Sequence, residues 1–346
     1  MLKRIEDSGL WSDALGLADT VRWVTETGPD TWGDAVELIR ATSRVVVTGN
    51  GAAFYAGLVL EAAARTTPPG APAVVAVPAG VLLARAFTWW PGDLPLVISS
   101  SGELRDVITL LEHNQLPTAP VVMTGHLDST LGRAAAAQVH VPVASQQAVT
   151  HTRAWVGNVT AALLMWSRAA GVALEVEFPS LADRLSAAVQ AAPDWARTTA
   201  DQVGDRISGI ALAGGAGWPS AAEIALLLKE IGGLAIEGLE SREAGTSGMY
   251  ALSADSVVVS AALPGDESSA EAECTCAETG AAVLRLPSAL GCTPLELPVL
   301  SFPAALALAA ELGRRRGRDI DQPEWVHAYY RTARKPGVDD LVQEHS

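Results

Sequence analysis

The chain contains 346 residues, of which 49% are hydrophobic and 31 are glycine. This length and composition are typical of a folded α/β protein with two domains of ordinary size, each able to bury its own core. The formal net charge of −15 argues against nucleic acids and anionic membranes as partners. It does not exclude a phosphorylated ligand, because backbone N–H groups at a helix N-terminus can bind a phosphate inside an acidic protein.

The first residues show no secretory signal, because Met1–Asp7 is charged and no apolar segment follows it. The most apolar stretch, Ala154–Trp166, is interrupted by Asn158 and is shorter than the roughly 20 apolar residues that cross a bilayer. We therefore expect a cytoplasmic protein that does not enter a membrane. In that compartment the three cysteines are expected to be reduced, and they do not indicate a metal site, since a zinc site usually has four ligands.

The first half predicts a helical lead followed by alternating strands and helices. Residues 1–40 have a helical pattern, with an amphipathic stretch at Trp11–Val24. The alternation that follows indicates a parallel sheet whose ligand-binding loops lie at the carboxyl ends of its strands. Strands are predicted at Arg44–Gly49, Ala73–Val77, Leu94–Ile98, Pro120–Met123 and Val139–Val143, and helices at Phe54–Ala64, Glu103–His113 and Thr152–Ala170.

The alternation restarts in the second half, which repeats the plan of strand, Gly-rich turn, helix and further strands. The predicted fold class is therefore α/β with two parallel sheets, each flanked by helices in a flavodoxin-like three-layer sandwich. Strands are predicted at Ile207–Ala213, Val257–Ala262 and Ala281–Leu286, and helices at Ser220–Ile231 and Pro303–Gly313. The predicted boundaries are 1–40 for the helical lead, 41–172 and 206–300 for the two domains, 173–205 for a helical connection and 301–346 for a C-terminal helix and tail.

The segment Ser99–Glu103 carries the strongest local signal for a ligand. An apolar strand ends there in three serines and Gly102, and a helix is expected to begin at once. A helix start offers unpaired N–H groups and the positive end of the helix dipole, so the segment predicts an anion site with serine donors. The alternative is a plain helix cap, with Ser101 as the capping residue and Glu103 in the first turn.

Five segments occur in the order and spacing of the sugar-isomerase (SIS) domain family. The chain resembles the isomerase half of glucosamine-6-phosphate synthase and the stand-alone sugar-phosphate deaminases, deglycases and ketose–aldose isomerases, over nearly its whole length. The resemblance implies two SIS subdomains, a sugar or sugar-phosphate ligand, no cofactor and a homodimer. The segments are Gly49-Asn50-Gly51, Ser99-Ser100-Ser101-Gly102-Glu103, Val149-Thr150-His151-Thr152-Arg153-Ala154, Glu223 with Lys229-Glu230, and Asp319-Ile320-Asp321-Gln322-Pro323.

The resemblance also implies which residues bind the substrate. The phosphate loop of the family falls on Ser99, Ser100 and Ser101, and further substrate contacts fall on Gly51, Ala53 and Val149. Two hydroxyl residues that follow the first glycine turn in the family are Ala52 and Ala53 here, and the threonine after the Ser-Gly-Glu element is Leu104. About half of the expected phosphate-binding hydroxyls are therefore absent.

The catalytic base of the family, which moves a proton between C1 and C2, falls on Glu230, and its helix partner falls on Glu223. Their spacing places both on one face of the predicted helix. A carboxylate suits this step, since it can carry the weakly acidic proton next to a carbonyl through an enediol, and apolar neighbours can raise its pKa toward neutrality. The alternative is an ordinary amphipathic helix with both glutamates facing solvent.

Two positions depart from the family. The ring-opening histidine falls on Thr246 and the Schiff-base lysine on Ala328, and neither residue can take over that chemistry. His151 and His327 are the candidates to compensate, because histidine exchanges protons near neutral pH. The alternatives are that His151 caps or packs at the start of its helix and that His327 is a surface residue.

The sequence thus predicts an enzyme of the phosphosugar isomerase or deaminase type that acts through an enediol, with Glu230, Glu223 and His151 as catalytic residues. Thr246 and His327 are expected to contact the substrate. The absent lysine and histidine favour a different reading, a non-catalytic sugar-binding or regulatory protein. A third reading is an enzyme for an unphosphorylated or unusual sugar derivative, which Ala52, Ala53 and Leu104 would suit.

Overall fold

The computed structural model describes residues 4–143, 146–287 and 291–333. Residues 1–3 of the predicted helical lead and 334–346 of the predicted tail lie outside the described residues. The lead folds as three short helices, where the sequence predicted one amphipathic stretch over Trp11–Val24. These helices are α1 (Gly9–Leu15), α2 (Leu17–Glu26) and α3 (Gly33–Ala41).

The first sheet is fully parallel and has the strand order β2-β1-β3-β4-β5. The order reverses between β1 and β3, and in open α/β sheets such a switch point opens a crevice at the carboxyl ends of the strands. The elements are β1 (Arg44–Thr48), α4 (Ala52–Arg65), β2 (Ala73–Ala76), α5 (Ala79–Leu83), β3 (Asp93–Ile98), α6 (Arg105–Glu112), β4 (Val121–Thr124), α7 (Thr130–Ala134), β5 (Ala137–His140) and α8 (Thr152–Ala170).

The second sheet is also parallel, with four strands in the order β7-β6-β8-β9. Two parallel sheets flanked by helices confirm the predicted α/β class. The elements are α9 (Phe178–Val203), β6 (Ser208–Ala213), α10 (Pro219–Glu230), β7 (Ala235–Glu240), α11 (Ser241–Thr246), β8 (Ser256–Ser260), α12 (Glu267–Glu278), β9 (Ala282–Arg285), α13 (Leu297–Leu300), α14 (Phe302–Arg315) and α15 (Val326–Ala333).

Strand β7 is a strand that the sequence pattern did not predict. Its sequence, Ala-Ile-Glu-Gly-Leu-Glu, contains two glutamates and a glycine, which are poor strand formers. The strand lies at the edge of its sheet and pairs with β6 alone, so several of its side chains stay exposed. Gly238 is required there, because a Cβ at this position would lie 2.4 Å from the backbone oxygen of Ala221 in α10. Close packing of α10 on β7 therefore overrides the local propensity.

One continuous core joins the two halves. Buried residues from the lead helices, both sheets, α8, α9, α10 and α14 form a single apolar cluster. Within it, Trp155 of α8 stacks on Phe302 of α14 with ring centroids 6.3 Å apart, and its indole N–H donates to the backbone oxygen of Pro298 at 2.9 Å. This packing fixes α8 against the second half. It therefore also fixes the orientation of the α8 face that borders the crevice of the first sheet.

The segment Leu297–Arg315 is long and apolar enough to cross a membrane by length and composition. In the folded chain 94% of its apolar 18-residue stretch is buried inside the protein, so the segment packs in the core. Its buried Glu311 accepts from the guanidinium groups of Arg314 and Arg315, at 2.5 Å and 2.8 Å.

Candidate active site

A pocket of about 300 Å³ opens at the switch point of the first sheet. Its walls come from the turn between β1 and α4, the turn after β3, the start of α8, one face of α10 and the tail segment before α15. It therefore lies between the two halves. Seven of the predicted groups of the site line it, and these are Gly51, Ala53, the serines 99–101, Val149, His151, Glu223 and Glu230.

The serine turn, residues 99–101, forms the wall at the end of β3. Ser99 is buried, the Ser100 hydroxyl accepts from the side-chain amide of Asn158 at 3.3 Å, and the Ser101 hydroxyl accepts from the Glu103 backbone N–H at 3.2 Å. Both hydroxyls thus keep an O–H that can donate into the pocket. Gly102 has φ +66°, and a Cβ there would collide with the side chain of Ser129.

The helix after this turn starts later than the sequence predicted. Helix α6 begins at Arg105, and Leu104 precedes it without a side-chain cap. The Glu103 carboxylate instead accepts from the backbone N–H of Thr130, at 2.7 Å, in the first turn of α7. The interpretation of Ser101 as a helix cap with Glu103 in the first turn is therefore wrong. The left-handed Gly102 delays the helix and leaves an open turn that faces the pocket.

Glu223 and Glu230 both face the pocket from α10, so the predicted shared helix face is present. Glu223 is 4% exposed, and among the described residues its Oε2 has no hydrogen-bond partner. Burial, reinforced by the negative charge of Glu230, raises the pKa of Glu223 well above its ordinary value. The raised pKa favours the neutral carboxylic acid form of Glu223, which can donate a hydrogen bond.

Glu230 lies near the C-terminal end of the same helix and remains open to solvent through the pocket mouth. Protein atoms nevertheless surround its carboxyl group, and this burial raises the pKa of Glu230 to about 7, against the opposing charge of Lys229. A carboxyl group that titrates near pH 7 can both accept and release a proton under working conditions. The two glutamates therefore share one wall of the pocket but differ in how deeply they are buried.

His151 lies at the pocket mouth, immediately before α8. It is exposed and occupies the N-cap position of α8, where its backbone oxygen accepts from the backbone N–H of Trp155 at 3.3 Å. Val149 is fixed by its backbone N–H, which donates to the backbone oxygen of Asp321 at 2.9 Å. This hydrogen bond ties the tail to residues 149–151, the segment that places His151 at the pocket mouth.

Thr246 and His327 are not among the described residues that line the pocket of their own chain, so their contact with a substrate stays a prediction. Thr246 lies in α11, beyond the edge strand β7, and its hydroxyl donates to the backbone oxygen of Arg242 at 2.7 Å. His327 is exposed on α15. The neighbouring Val326 lines the pocket instead, since successive helix residues point about 100° apart.

Sequence reasoning missed several pocket residues on α8 and in the tail. Asn158 and Trp155 line the pocket from α8, and a polar residue inside an otherwise apolar helix was the available signal for Asn158. From the tail, Pro323, Glu324 and Trp325 complete the mouth, and Trp325 is 79% exposed. Trp325 has φ +70°, a left-handed conformation that bulky side chains rarely adopt, and no local pattern predicts it.

Within the described parts of the chain, no group of three or more His, Cys, Asp or Glu side chains is arranged to hold a metal ion. The described lining of the pocket supplies carboxyl groups at different depths, hydroxyl and amide donors, and an imidazole at the mouth.

Comparisons with known proteins agree with this arrangement. No family model matches the chain. A curated relative, the glutamine–fructose-6-phosphate aminotransferase (isomerizing) of Corynebacterium diphtheriae, is 26% identical over 221 residues, which are 59% of this chain and 34% of the relative. The chain thus matches about a third of the length of that relative.

Two solved structures share the fold. The C-terminal domain of glucosamine-fructose-6-phosphate aminotransferase from Francisella tularensis superimposes with a TM-score of 0.78 at 18% identity, covering 91% of this chain and 98% of that one. The tagatose-6-phosphate ketose/aldose isomerase of Escherichia coli superimposes with a TM-score of 0.74 at 14% identity, covering 93% and 98%. The solved structures show that the chain has the same two-sheet fold as these sugar-phosphate proteins, and the curated relative is similar to it in sequence over part of that fold.

Proposed function

We propose that the protein is an enzyme that isomerises a sugar, a sugar phosphate or a close derivative by moving a proton between neighbouring carbons. The observation that carries this proposal is Glu230: a carboxyl group whose pKa lies at about 7, in a pocket at the switch point of the sheet. A general base with a pKa near the working pH combines a large ionised fraction with enough basicity to take a weakly acidic proton.

In the proposed mechanism the ionised Glu230 takes the proton from the carbon next to the carbonyl group and later returns it to the former carbonyl carbon. The intermediate is an enediol: the carbonyl oxygen gains a proton as the carbon–hydrogen bond breaks, and the neighbouring hydroxyl group loses its proton when the new carbonyl group forms. Glu223, whose pKa is raised by burial, is proposed to donate a hydrogen bond in its protonated form to the oxygen on which negative charge develops. The serine turn binds the far end of the sugar, and His151 exchanges protons with the ring oxygen at the mouth to assist ring opening.

The names of the related proteins support this reaction class. The relative in Corynebacterium diphtheriae is called isomerizing, and the structural neighbour in Escherichia coli is a ketose/aldose isomerase. The proposed step needs only proton transfers, so we propose no cofactor. A covalent imine with the protein is not proposed, because Ala328 stands where the family has its lysine.

Two further parts of the proposal concern the setting of the enzyme. We propose a cytoplasmic homodimer, with a small sugar ligand as its partner molecule and with neither nucleic acid nor membrane involved. Thr246 is exposed on α11 and is thus able to meet a second subunit, and it is not among the described residues that line the pocket of its own chain.

Thr246 and Ala328 favour a second candidate, a sugar-binding protein without turnover, since neither can perform the chemistry of the histidine and lysine they replace. The two candidates differ in what Glu230 does. Binding needs no base, whereas isomerisation does.

A thermal-shift panel followed by a conversion assay tests the proposal. The panel contains glucosamine, fructose, glucose and N-acetylglucosamine 6-phosphates beside the free sugars, because a ligand that binds the folded state raises its melting temperature.

For any ligand found, Glu230→Gln is expected to keep the shift and to lower conversion by a factor of about 10² to 10⁴. Glu278→Gln, on the exposed surface of α12, is the control and should convert like the wild type. Unchanged conversion by Glu230→Gln would remove Glu230 as the base, and binding without conversion by the wild type would favour the binding protein.

A further inference from the structure

Asn158 brings a buried amide from α8 to the wall of the pocket. The residue is 4% exposed and lies in a helix whose other buried side chains are mostly apolar. Burying an amide is costly unless it forms hydrogen bonds, so an asparagine in this position needs a specific partner. Its side-chain Nδ2 donates to the hydroxyl oxygen of Ser100 at 3.3 Å, and both residues line the pocket. The buried amide is therefore directed at the serine turn.

The backbone of the serine turn is held by the neighbouring strand. The backbone oxygen of Ser100 accepts from the N–H of Gly125 at 3.0 Å and from the hydroxyl of Thr124 at 3.3 Å, at the end of β4. These contacts fix the position of Ser100 whichever way its hydroxyl group points. The rotation of that hydroxyl group remains to be set, and the hydrogen bond from Asn158 restricts it.

The direction of this hydrogen bond determines what Ser100 can offer a ligand. A hydroxyl group has one O–H donor and two acceptor lone pairs. Because the Asn158 amide occupies a lone pair, the O–H of Ser100 can donate into the pocket. Ser101 is arranged in the same way, since its oxygen accepts from the Glu103 backbone N–H at 3.2 Å. Two neighbouring hydroxyl groups thus accept from the protein and can donate to a ligand.

We propose that Asn158 is a positioning residue, which orients Ser100 so that the serine turn presents O–H donors to an acceptor group of the substrate. This inference rests on the proposed isomerase function and adds the residue that sets the hydrogen-bonding polarity of the turn. Ionised phosphate oxygens match this polarity best, because hydrogen bonds to a charged acceptor are the stronger ones. Asn158 acts through Ser100 and takes no part in the proton transfer.

A double-mutant cycle tests whether Asn158 acts through Ser100. Asn158→Leu removes the amide with little change of size, and Ser100→Ala removes the hydroxyl group. Affinity for the four 6-phosphates of the panel and for inorganic phosphate is measured by calorimetry on the full chain. Asn158→Leu is expected to weaken binding about tenfold in the wild-type background and less than about twofold in Ser100→Ala, where no hydroxyl group remains to be oriented. Equal losses in both backgrounds would overturn the inference, since Asn158 would then act without Ser100.

Asn158→Asp tests the direction of the hydrogen bond. A carboxylate has nearly the size of the amide but can only accept, so the O–H of Ser100 is expected to turn from the pocket toward it. The variant should bind the 6-phosphates and the free sugars of the panel at least about tenfold more weakly than the wild type. The free sugars are included because they carry no charge that a carboxylate could repel. Unchanged binding would mean that Ser100 already donates to Asn158, and the inference would be wrong.

Thr160→Val is the matched control on the same helix. Thr160 is buried, donates to the backbone oxygen of Val156 at 2.7 Å and is not among the described residues that line the pocket, so its loss should leave affinity unchanged. Melting temperatures show whether each variant is folded, and Asn158→Ala takes the place of Asn158→Leu in the cycle if leucine prevents folding.

The inference and the proposed function fail separately. A wild type that binds none of these phosphates would overturn the inference, while Glu230-dependent conversion of a free sugar would leave the isomerase proposal standing. Coupling between Asn158 and Ser100 without conversion of any sugar in the panel would support the positioning role and contradict the isomerase proposal.

Discussion

The two glutamates of α10 have the same chemistry but different surroundings. Glu223 is almost fully buried, while Glu230 reaches the solvent of the pocket mouth. Burial raises the pKa of both groups, further for Glu223, which also feels the charge of Glu230. At the scale of single residues, this difference in burial supports the proposed roles, with Glu223 as the hydrogen-bond donor and Glu230 as the base.

Replacing Glu223 by glutamine tests its protonation state. A raised pKa in the folded state means that the contribution of the group to stability is complete below about pH 4.5 and is lost as the pH rises through the folded pKa. Glu223→Gln removes this loss. The variant is expected to melt higher than the wild type at about pH 8, by roughly 2–4 °C for each kcal/mol recovered, with a smaller difference at about pH 5.

The measurement is the melting temperature of both proteins across that pH range, with Glu278→Gln as a surface control. A wild type and Glu223→Gln that change in parallel with pH would show that Glu223 is ionised in the folded protein.

The residues that sequence could place are those fixed by a motif on a regular element. Ser99, Glu223 and Glu230 fall in the pocket because strand ends and helix faces have fixed directions. Val326 lines the pocket beside His327, because a shift of one residue on a helix turns a side chain by about 100°. Trp325 could not be predicted, since no local sequence pattern indicates a left-handed backbone conformation at a tryptophan.

At the scale of elements, the side chain of Asp321 attaches the tail to the lead helices. The Asp321 carboxylate accepts from the backbone N–H groups of Gly9 and Leu10 in α1, at 3.1 Å and 2.7 Å. Its backbone oxygen accepts from Val149. Asp321 therefore joins the lead helices, the strip before α8 and the segment that forms the pocket mouth.

Asp321→Ala is expected to cost about 1 kcal/mol of folding stability, the usual cost of losing a side-chain cap at a helix N-terminus. Ligand affinity should fall as well, since the wall from Pro323 to Val326 loses its anchor. Melting temperature and calorimetric affinity are measured together. Asp255→Ala in an exposed loop is the matched control, and Asp321→Asn should recover part of both losses because it keeps one acceptor oxygen. Full affinity in Asp321→Ala would show that the tail holds its position without this contact.

Strand prediction succeeded where strands are apolar on both faces and failed where they are not. β1 and β8 are fully buried and read directly from their valine runs. β7 is an edge strand with exposed glutamate side chains, and β5, predicted at Val139–Val143, ends at His140. Runs of apolar residues indicate buried strands, so they predict the central strands of a sheet better than its edge strands.

At the scale of the whole molecule, the pocket depends on both halves at once. The serine turn belongs to the first sheet and the glutamate pair to a helix of the second half, and one core cluster runs through both. The halves are therefore expected to unfold together, although the chain is long enough for two domains. The order of motifs along the sequence predicted two sheets, but the continuous core between them depends on packing that no local pattern contains.

Scanning calorimetry is expected to show one transition whose van't Hoff and calorimetric enthalpies agree. A control scan at a second heating rate checks that the transition is at equilibrium. Two resolved transitions would mean that the contact between α10 and the first half is weaker than its burial indicates.

The measurement that tests the central claim most directly is the incorporation of deuterium from D₂O into the sugar during turnover, followed by NMR as a function of pH. A Glu230 base with a pKa of about 7 predicts label at the carbon next to the carbonyl group, at a rate that rises as the pH increases through about 7 and then levels. Glu230→Gln should lower this rate by a factor of at least about 10². Conversion of the sugar with no label in substrate or product, or labelling that Glu230→Gln leaves unchanged, would contradict the account.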